Sequence, residues 1–201
     1  MPEFDSSMNV LALWAALGYL IGSIPFGLII ARVMGLGNLR QIGSGNIGAT
    51  NVLRTGSKPA AALTLLLDGG KGALAVLLAR AYAGEDAAQI AALMAFLGHC
   101  LPVWLAFKGG KGVATFIGLW LALDWRVGVA CCLTWLVSVA IWRMSSAGAL
   151  AAAALSTTWI ITLTDGKTFI LGIALTFLIY WRHKDNVARI KSRTEPKIGK
   201  S

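Results

Sequence analysis

The chain has 201 residues, 57% of them hydrophobic and only 13% charged, and its mean hydropathy is +0.70. That balance excludes an ordinary soluble domain and leaves an integral membrane protein. The net charge of +9 does not imply nucleic acid, because basic residues in a polytopic membrane protein set orientation and meet anionic lipid. A bilayer core of about 30 Å takes about 20 apolar residues per helix, so the chain suffices for six or seven spans in one compact helical domain, residues 1–201.

Residues 1–7 carry no visible role, and Glu3 and Asp5 stand where a signal peptide would be positive, so the first apolar run stays as a helix. Span one is Val10 to Val33, kinked at Pro25. Gly35 to Leu39 is a turn, a glycine-rich loop and a short helix follow, and Pro59 suits a helix first turn. Ala60 to Tyr82 is span two, interrupted by Asp68-Gly69-Gly70-Lys71-Gly72. Asp68 and Lys71 share a helix face, and charges at that depth are paired or functional; an internal ion pair is the favoured reading. Ala87 to Phe107 is span three. Val113 to Leu123 is too short to cross alone, which draws the preceding Lys108 loop into the membrane edge, where irregular backbone lines a polar cavity. Trp125 to Trp142, Ala147 to Leu163 and Phe169 to Trp181 complete seven spans, and residues 182–201 form a basic tail. Cys100, Cys131 and Cys132 lie in apolar runs, match no zinc or disulfide spacing, and read as packing residues.

Fourteen of the 18 Lys and Arg residues, Lys200 among them, fall on one side of such a topology, and most acids on the other. The excess makes the basic side cytoplasmic, with the N-terminus periplasmic and the C-terminus cytoplasmic.

Two runs resist explanation by hydrophobic packing. In Ser44 to Arg54, Gly43, Gly45 and Gly48 free the backbone to turn its N–H groups on one spot. Ser44, Asn46, Thr50 and Asn51 add short polar side chains, and Arg54 adds a fixed cationic fork suited to phosphate. Gly43-x-Gly45-x-x-Gly48 also matches the dinucleotide fingerprint, but no βαβ context surrounds it. The second run, Lys108-Gly109-Gly110-Lys111-Gly112, again joins glycines to cations and opens a helix. With Ser145-Ser146 and Arg182 to Asn186, these loops are expected to converge on a cationic pocket that binds one or two phosphate groups beside an acyl chain. Two readings stand at this point: an enzyme handling a phosphorylated small molecule and a lipid, or a transporter or channel for a phosphorylated solute.

Ser44-Gly-Asn-x-Gly-Ala-Thr-Asn-x-x-Arg54, Gly98-His-x-x-Pro-Val103, Phe107-Lys-Gly-Gly-Lys-Gly-Val-Ala-Thr115 and Arg182-His-x-x-Asn186 resemble the motifs of the bacterial PlsY glycerol-3-phosphate acyltransferases. The resemblance spans nearly the whole chain. It implies transfer of a fatty acyl group from acyl phosphate to glycerol 3-phosphate at the inner membrane, giving lysophosphatidic acid and phosphate. It also implies a separate soluble enzyme that makes the acyl phosphate and a possible functional contact with it. Acyl-CoA is the alternative donor. By position, Ser44, Thr50 and Arg54 become phosphate contacts, Lys108 and Ser146 acyl-phosphate or transition-state contacts, and His183 and Asn186 acceptor-side residues. Ser44, Lys108, Ser146, His183 and Asn186 are thus the catalytic candidates. Gly45, Asn46, Gly48, Thr50, Asn51, Arg54, Gly109, Gly110, Lys111 and Gly112 are the phosphate-binding ones.

Two departures from the family pattern are Gly69-Gly70, where bulkier residues stand between the aspartate and the lysine, and the adjacent pair Ser145-Ser146, which leaves the register of the serine open. The chain lacks a His-x-x-x-x-Asp dyad, since Trp104 follows five residues after His99 and Ala188 five after His183. No cysteine lies in the loops to form a thioester. Direct attack of the glycerol hydroxyl on the acyl carbonyl remains, with no cofactor or metal. His183 serves as general base or as a hydrogen-bond donor that positions glycerol 3-phosphate, the second being favoured, and His99 reads as a packing histidine.

Overall fold

The computed structural model describes residues 5–199; Glu3 and Lys200 lie outside the described residues. All regular structure among the described residues is helical. The helices are α1 (Met8–Gly22), α2 (Phe26–Val33), α3 (Ala49–Leu53), α4 (Lys58–Ala83) and α5 (Glu85–Cys100). They continue as α6 (Val113–Leu123), α7 (Trp125–Trp142), α8 (Ser145–Leu163), α9 (Phe169–Arg182) and α10 (Lys184–Lys191). Single 3-10 turns occupy Leu39–Gln41 and Val103–Leu105.

Five segments are long and apolar enough to cross a membrane: Met8–Val33, Lys58–Ala83, Glu85–Leu105, Trp125–Trp142 and Ser145–Leu163. Val113–Leu123 and Phe169–Arg182 are shorter apolar helices. Between 22% and 50% of each long segment's apolar window is buried within the protein, and Leu66, Ile161 and Phe177 are among the large apolar side chains left outside. In water such a surface would aggregate; in lipid it is solvated.

The described residues fall into two compact units, 5–123 and 124–199. In the first, α4 packs on α5 and α6, and α1 on α5. Its helices meet through glycine. A Cβ on Gly118 of α6 would stand 2.0 Å from the Gly69 carbonyl oxygen, and one on Gly22 would stand 2.0 Å from that of Ala95. Backbones in lipid come this close because dispersion contact, rather than apolar burial from water, drives helix association there. The glycines in α4 therefore do not interrupt it as expected: α4 is one helix from Lys58 to Ala83, and its Gly69 is where α6 crosses.

Pro25 goes further than a kink. It divides the first apolar segment into α1 and α2, leaving Ser23 to Pro25 unwound. The carbonyls freed there are satisfied by other elements: Trp104 Nε1 donates to Ser23 O at 2.8 Å and Lys71 Nζ to Ile24 O at 2.6 Å. Such repair is what allows irregular backbone at membrane depth. The N-terminal residues also have work. Ser7 caps α1 by accepting from Val10 N, and Ser6 donates through N and Oγ to the Asp86 carboxylate at 2.7 and 2.9 Å, tying the start of α1 to the α4–α5 corner.

In the second unit, α8 packs between α7 and α9. Gly148 passes so close to Trp135 that a Cβ would lie 2.9 Å from its carbonyl oxygen. The basic tail is more ordered than its composition implies: it forms α10 and then turns back so that Glu195 reaches the start of α8.

Candidate functional site

In the first unit the Ser44 loop is organised by Asn51, 1% exposed. Its Oδ1 accepts from Ser44 N and from Arg54 Nη1, both at 3.2 Å. Its Nδ2 donates to Leu39 O at 2.9 Å and to Asn46 O at 2.7 Å. One amide thus ties both ends of the loop together, and the loop curls because Gly43 takes φ +52°. A side chain at Gly43 would meet Arg54 Cδ at 2.6 Å and Asn51 Oδ1 at 2.7 Å. Asn46 Oδ1 accepts from Ile47 N at 2.9 Å. Gly48 caps α3 and accepts from Asn51 N at 2.9 Å. Ser44 and Arg54 are exposed and Thr50 is half-buried.

The Lys108 loop lies on the end of α5. Gly109 N donates to Cys100 O and Gly110 N to His99 O, both at 3.0 Å. These are carbonyls that the helix end leaves without intrahelical partners. Gly45 N likewise donates to Ile42 O at 2.9 Å. Each of these three N–H groups is engaged by a backbone carbonyl and serves loop geometry. The Asn51 amide is likewise engaged within the loop. Gly112 takes φ +81° against the Phe96 ring. Lys108 is exposed and Lys111 half-buried.

The two loops meet. Arg40, from the 3-10 turn ahead of the first loop, donates through its guanidinium to the Lys108 carbonyl, while a Cβ on Gly45 would be 3.1 Å from the Arg40 carbonyl oxygen. Ser44, Lys108 and Lys111 are thus mounted on two joined loops, with Thr50 in α3 and Arg54 at its end directly after the first. Nothing in the sequence reading pointed to Arg40, whose only signal is a cation just ahead of the glycines. Nearby, a cleft of about 860 Å³ is lined by Pro25, Leu28, Ile29, Val33, Leu39 and Leu105, with Arg32 also on its wall.

In the second unit Ser146 sits in the first turn of α8, 7% exposed, and Asn186 in α10, 5% exposed. Both donate to Glu195 Oε1 at 2.6 Å, and Arg189 Nε donates to Oε2 at 2.7 Å. Burial pushes the Glu195 carboxyl up, but the hydrogen bonds from Ser146, Asn186 and Arg189 outweigh it and hold it below the usual glutamate value. The serine in this arrangement is Ser146. Glu195 itself was missed, because a lone acid in a basic tail carries no spacing signal.

His183 is 2% exposed between α9 and α10. Its Nδ1 lies 2.8 Å from Ile179 O. A carbonyl only accepts, so Nδ1 carries the hydrogen and the neutral ring keeps its lone pair on Nε2. At Nε2 a neutral His183 is an acceptor, as the general-base alternative requires, whereas the favoured positioning role needs a donor there.

The described residues thus define an all-helical, multi-pass integral membrane protein with cations mounted on glycine-rich loops. Comparison with known proteins narrows the class. The family model described as glycerol-3-phosphate acyltransferase matches residues 12–193. A glycerol-3-phosphate acyltransferase of Ruegeria pomeroyi is 70% identical over 199 residues, covering 99% of this chain and 98% of that one. Another, from Roseobacter denitrificans, is 62% identical over 195 residues, covering 97% of this chain and 98% of that one. The crystal structure of PlsY, an integral membrane glycerol 3-phosphate acyltransferase, in its glycerol 3-phosphate form superposes with TM-score 0.88 at 34% identity, covering 94% of this chain and 96% of that one. The lysophosphatidic acid form of PlsY gives TM-score 0.86 at 33% identity, covering 94% and 95%. The chain belongs to the PlsY family of glycerol-3-phosphate acyltransferases.

Proposed function

We propose that this acyltransferase takes its acyl group from acyl phosphate and passes it to glycerol 3-phosphate, releasing lysophosphatidic acid and inorganic phosphate. A glycerol hydroxyl oxygen attacks the acyl carbonyl carbon and forms the ester C–O bond. The bond from that carbon to the phosphate oxygen breaks, and phosphate leaves with the electron pair. The hydroxyl proton is carried off by the departing phosphate or by His183 Nε2. Phosphate is a competent leaving group, so holding two anionic substrates in register and stabilising the developing charge supplies the acceleration. Ser44, Thr50, Arg54, Lys108 and Lys111 are the phosphate contacts in this reading. Asn46, Asn51 and the loop glycines shape the loops. Ser146 and Asn186, gathered on Glu195, serve the transition state and the acceptor.

The observation that carries the proposal is the joining of the two cationic glycine loops through Arg40 and the Lys108 carbonyl. The adjoining apolar cleft supports an acyl chain. The chain acts as one membrane domain of seven spans in the bacterial inner membrane, N-terminus periplasmic and C-terminus cytoplasmic, on acyl phosphate made by a separate soluble enzyme. Purified protein given radiolabelled glycerol 3-phosphate is expected to form lysophosphatidic acid with palmitoyl phosphate and not with palmitoyl-CoA. Equal rates with both would make acyl-CoA the donor. No turnover with either, together with uptake of glycerol 3-phosphate into vesicles, would make the protein a carrier.

A further inference from the structure

At the foot of the Lys108 loop lies a buried polar cluster to which the reaction above gives no task. Lys71 Nζ and Asp68 Oδ1 are 2.8 Å apart, with side chains 2% and 3% exposed, and His99 Nδ1 stands 3.7 Å from the same carboxylate oxygen. The Asp68 main-chain carbonyl accepts from Thr115 Oγ1, in the first turn of α6, at 2.9 Å.

Charges at membrane depth are costly, and a buried ion pair is commonly replaceable by apolar residues at no loss of stability. Stability is therefore a weak reason for this cluster; its location is a stronger one. Three irregular stretches of backbone meet around it: the break between α1 and α2, the end of α5, and the glycine loop. Lys71 holds the first through Ile24 O. His99 belongs to the second, and its carbonyl receives Gly110 N of the third. The His99 ring also backs the loop, since a Cβ on Gly110 would stand 2.1 Å from its Nε2. The main chain of α4 at Asp68, independent of the side chain there, accepts from Thr115 and holds the helix that the loop opens.

We propose that Asp68, Lys71 and His99 form a buried positioning network that holds the Lys108–Lys111 loop in register for phosphate, and so set substrate affinity without touching substrate. The proposal rests on the phosphate-binding role of that loop. The test compares wild type with the neutral pair Asp68→Asn/Lys71→Met and with His99→Gln, purified in detergent. Each phosphate-bearing substrate is varied in turn, and the thermal midpoint is measured alongside.

The expected result is a rise of about tenfold or more in KM for at least one substrate, kcat within about threefold of wild type, and a midpoint within a few degrees of wild type, as befits lost uniform binding. If the neutral pair does not fold, His99→Gln alone decides. An unchanged KM, with or without a lower midpoint, overturns the network, and so does a fall in kcat alone. An inactive wild type overturns the acyl-transfer reading and the network with it, whereas an active wild type with unaltered variants overturns the network only.

Discussion

His183 shows how one hydrogen bond decides a side chain's chemistry. Because Nδ1 is given to Ile179 O, in the proposed reaction a neutral ring would meet the glycerol hydroxyl with a lone pair, whether it removes the proton or only orients it. Protonation would destroy that acceptor. The rate should therefore fall on the acid side of the pH profile with a single ionisation, and His183→Ala should lose at least about tenfold, the scale of one general-base or orienting contact. A flat acid limb in active wild-type enzyme would return His183 to a donating role. Glu195 works in the opposite sense, as a fixed acceptor. Its folded value is depressed, so the stability it contributes is present above the ordinary glutamate range and lost as pH falls through the lower, folded value. The thermal midpoint in detergent should drop across that acidic window in wild type and much less in Glu195→Gln, which starts lower. Identical pH curves would show that the carboxylate charge is not what holds the tail.

Between helices, the glycines of the first unit divide into those that permit a crossing and those that do not. Gly118 has the Gly69 carbonyl 2.0 Å from where its Cβ would be, and backbone cannot step aside as a side-chain tip can. Gly70, next to Gly69 in the same helix, has nothing within 4 Å. Gly118→Ala is therefore expected to force α4 and α6 apart at about 1–3 kcal/mol. Gly70→Ala should be neutral or stabilising by up to about 1 kcal/mol, because alanine loses less entropy in a helix. Thermal unfolding of the two variants checks the pair; equal losses would mean that close approach is not what Gly118 provides.

For the whole molecule, the distribution of charge carries a prediction about the membrane. In the proposed seven-span topology, the order of the apolar segments in the sequence assigns Arg40, Arg54, Lys108, Arg143 and the tail cations to one membrane side. By the positive-inside rule the proposal takes that side as cytoplasmic. An alkaline phosphatase fused after the C-terminal residue should be inactive and a cytoplasmic reporter there active. An active phosphatase would invert the orientation and put the phosphate loops on the wrong side for a cytoplasmic substrate.

Sequence alone determined the membrane class, the apolar helices, the two glycine loops and the Asp68–Lys71 pair, because each is a local matter. Hydropathy, an i,i+3 spacing or a glycine cluster is complete within a short window. The bounds of α7 and the short α6 were legible for the same reason. Only the tertiary structure decided which donors are occupied. The N–H groups of Gly109 and Gly110 are taken by carbonyls of α5, Asn51 is turned inward, and Pro25 breaks its helix outright because Trp104 and Lys71 are there to receive the carbonyls. Arg40 and Glu195 acquire their tasks from partners 68 and 49 residues away. A buried polar group must find a partner, but its own sequence neighbourhood does not say which.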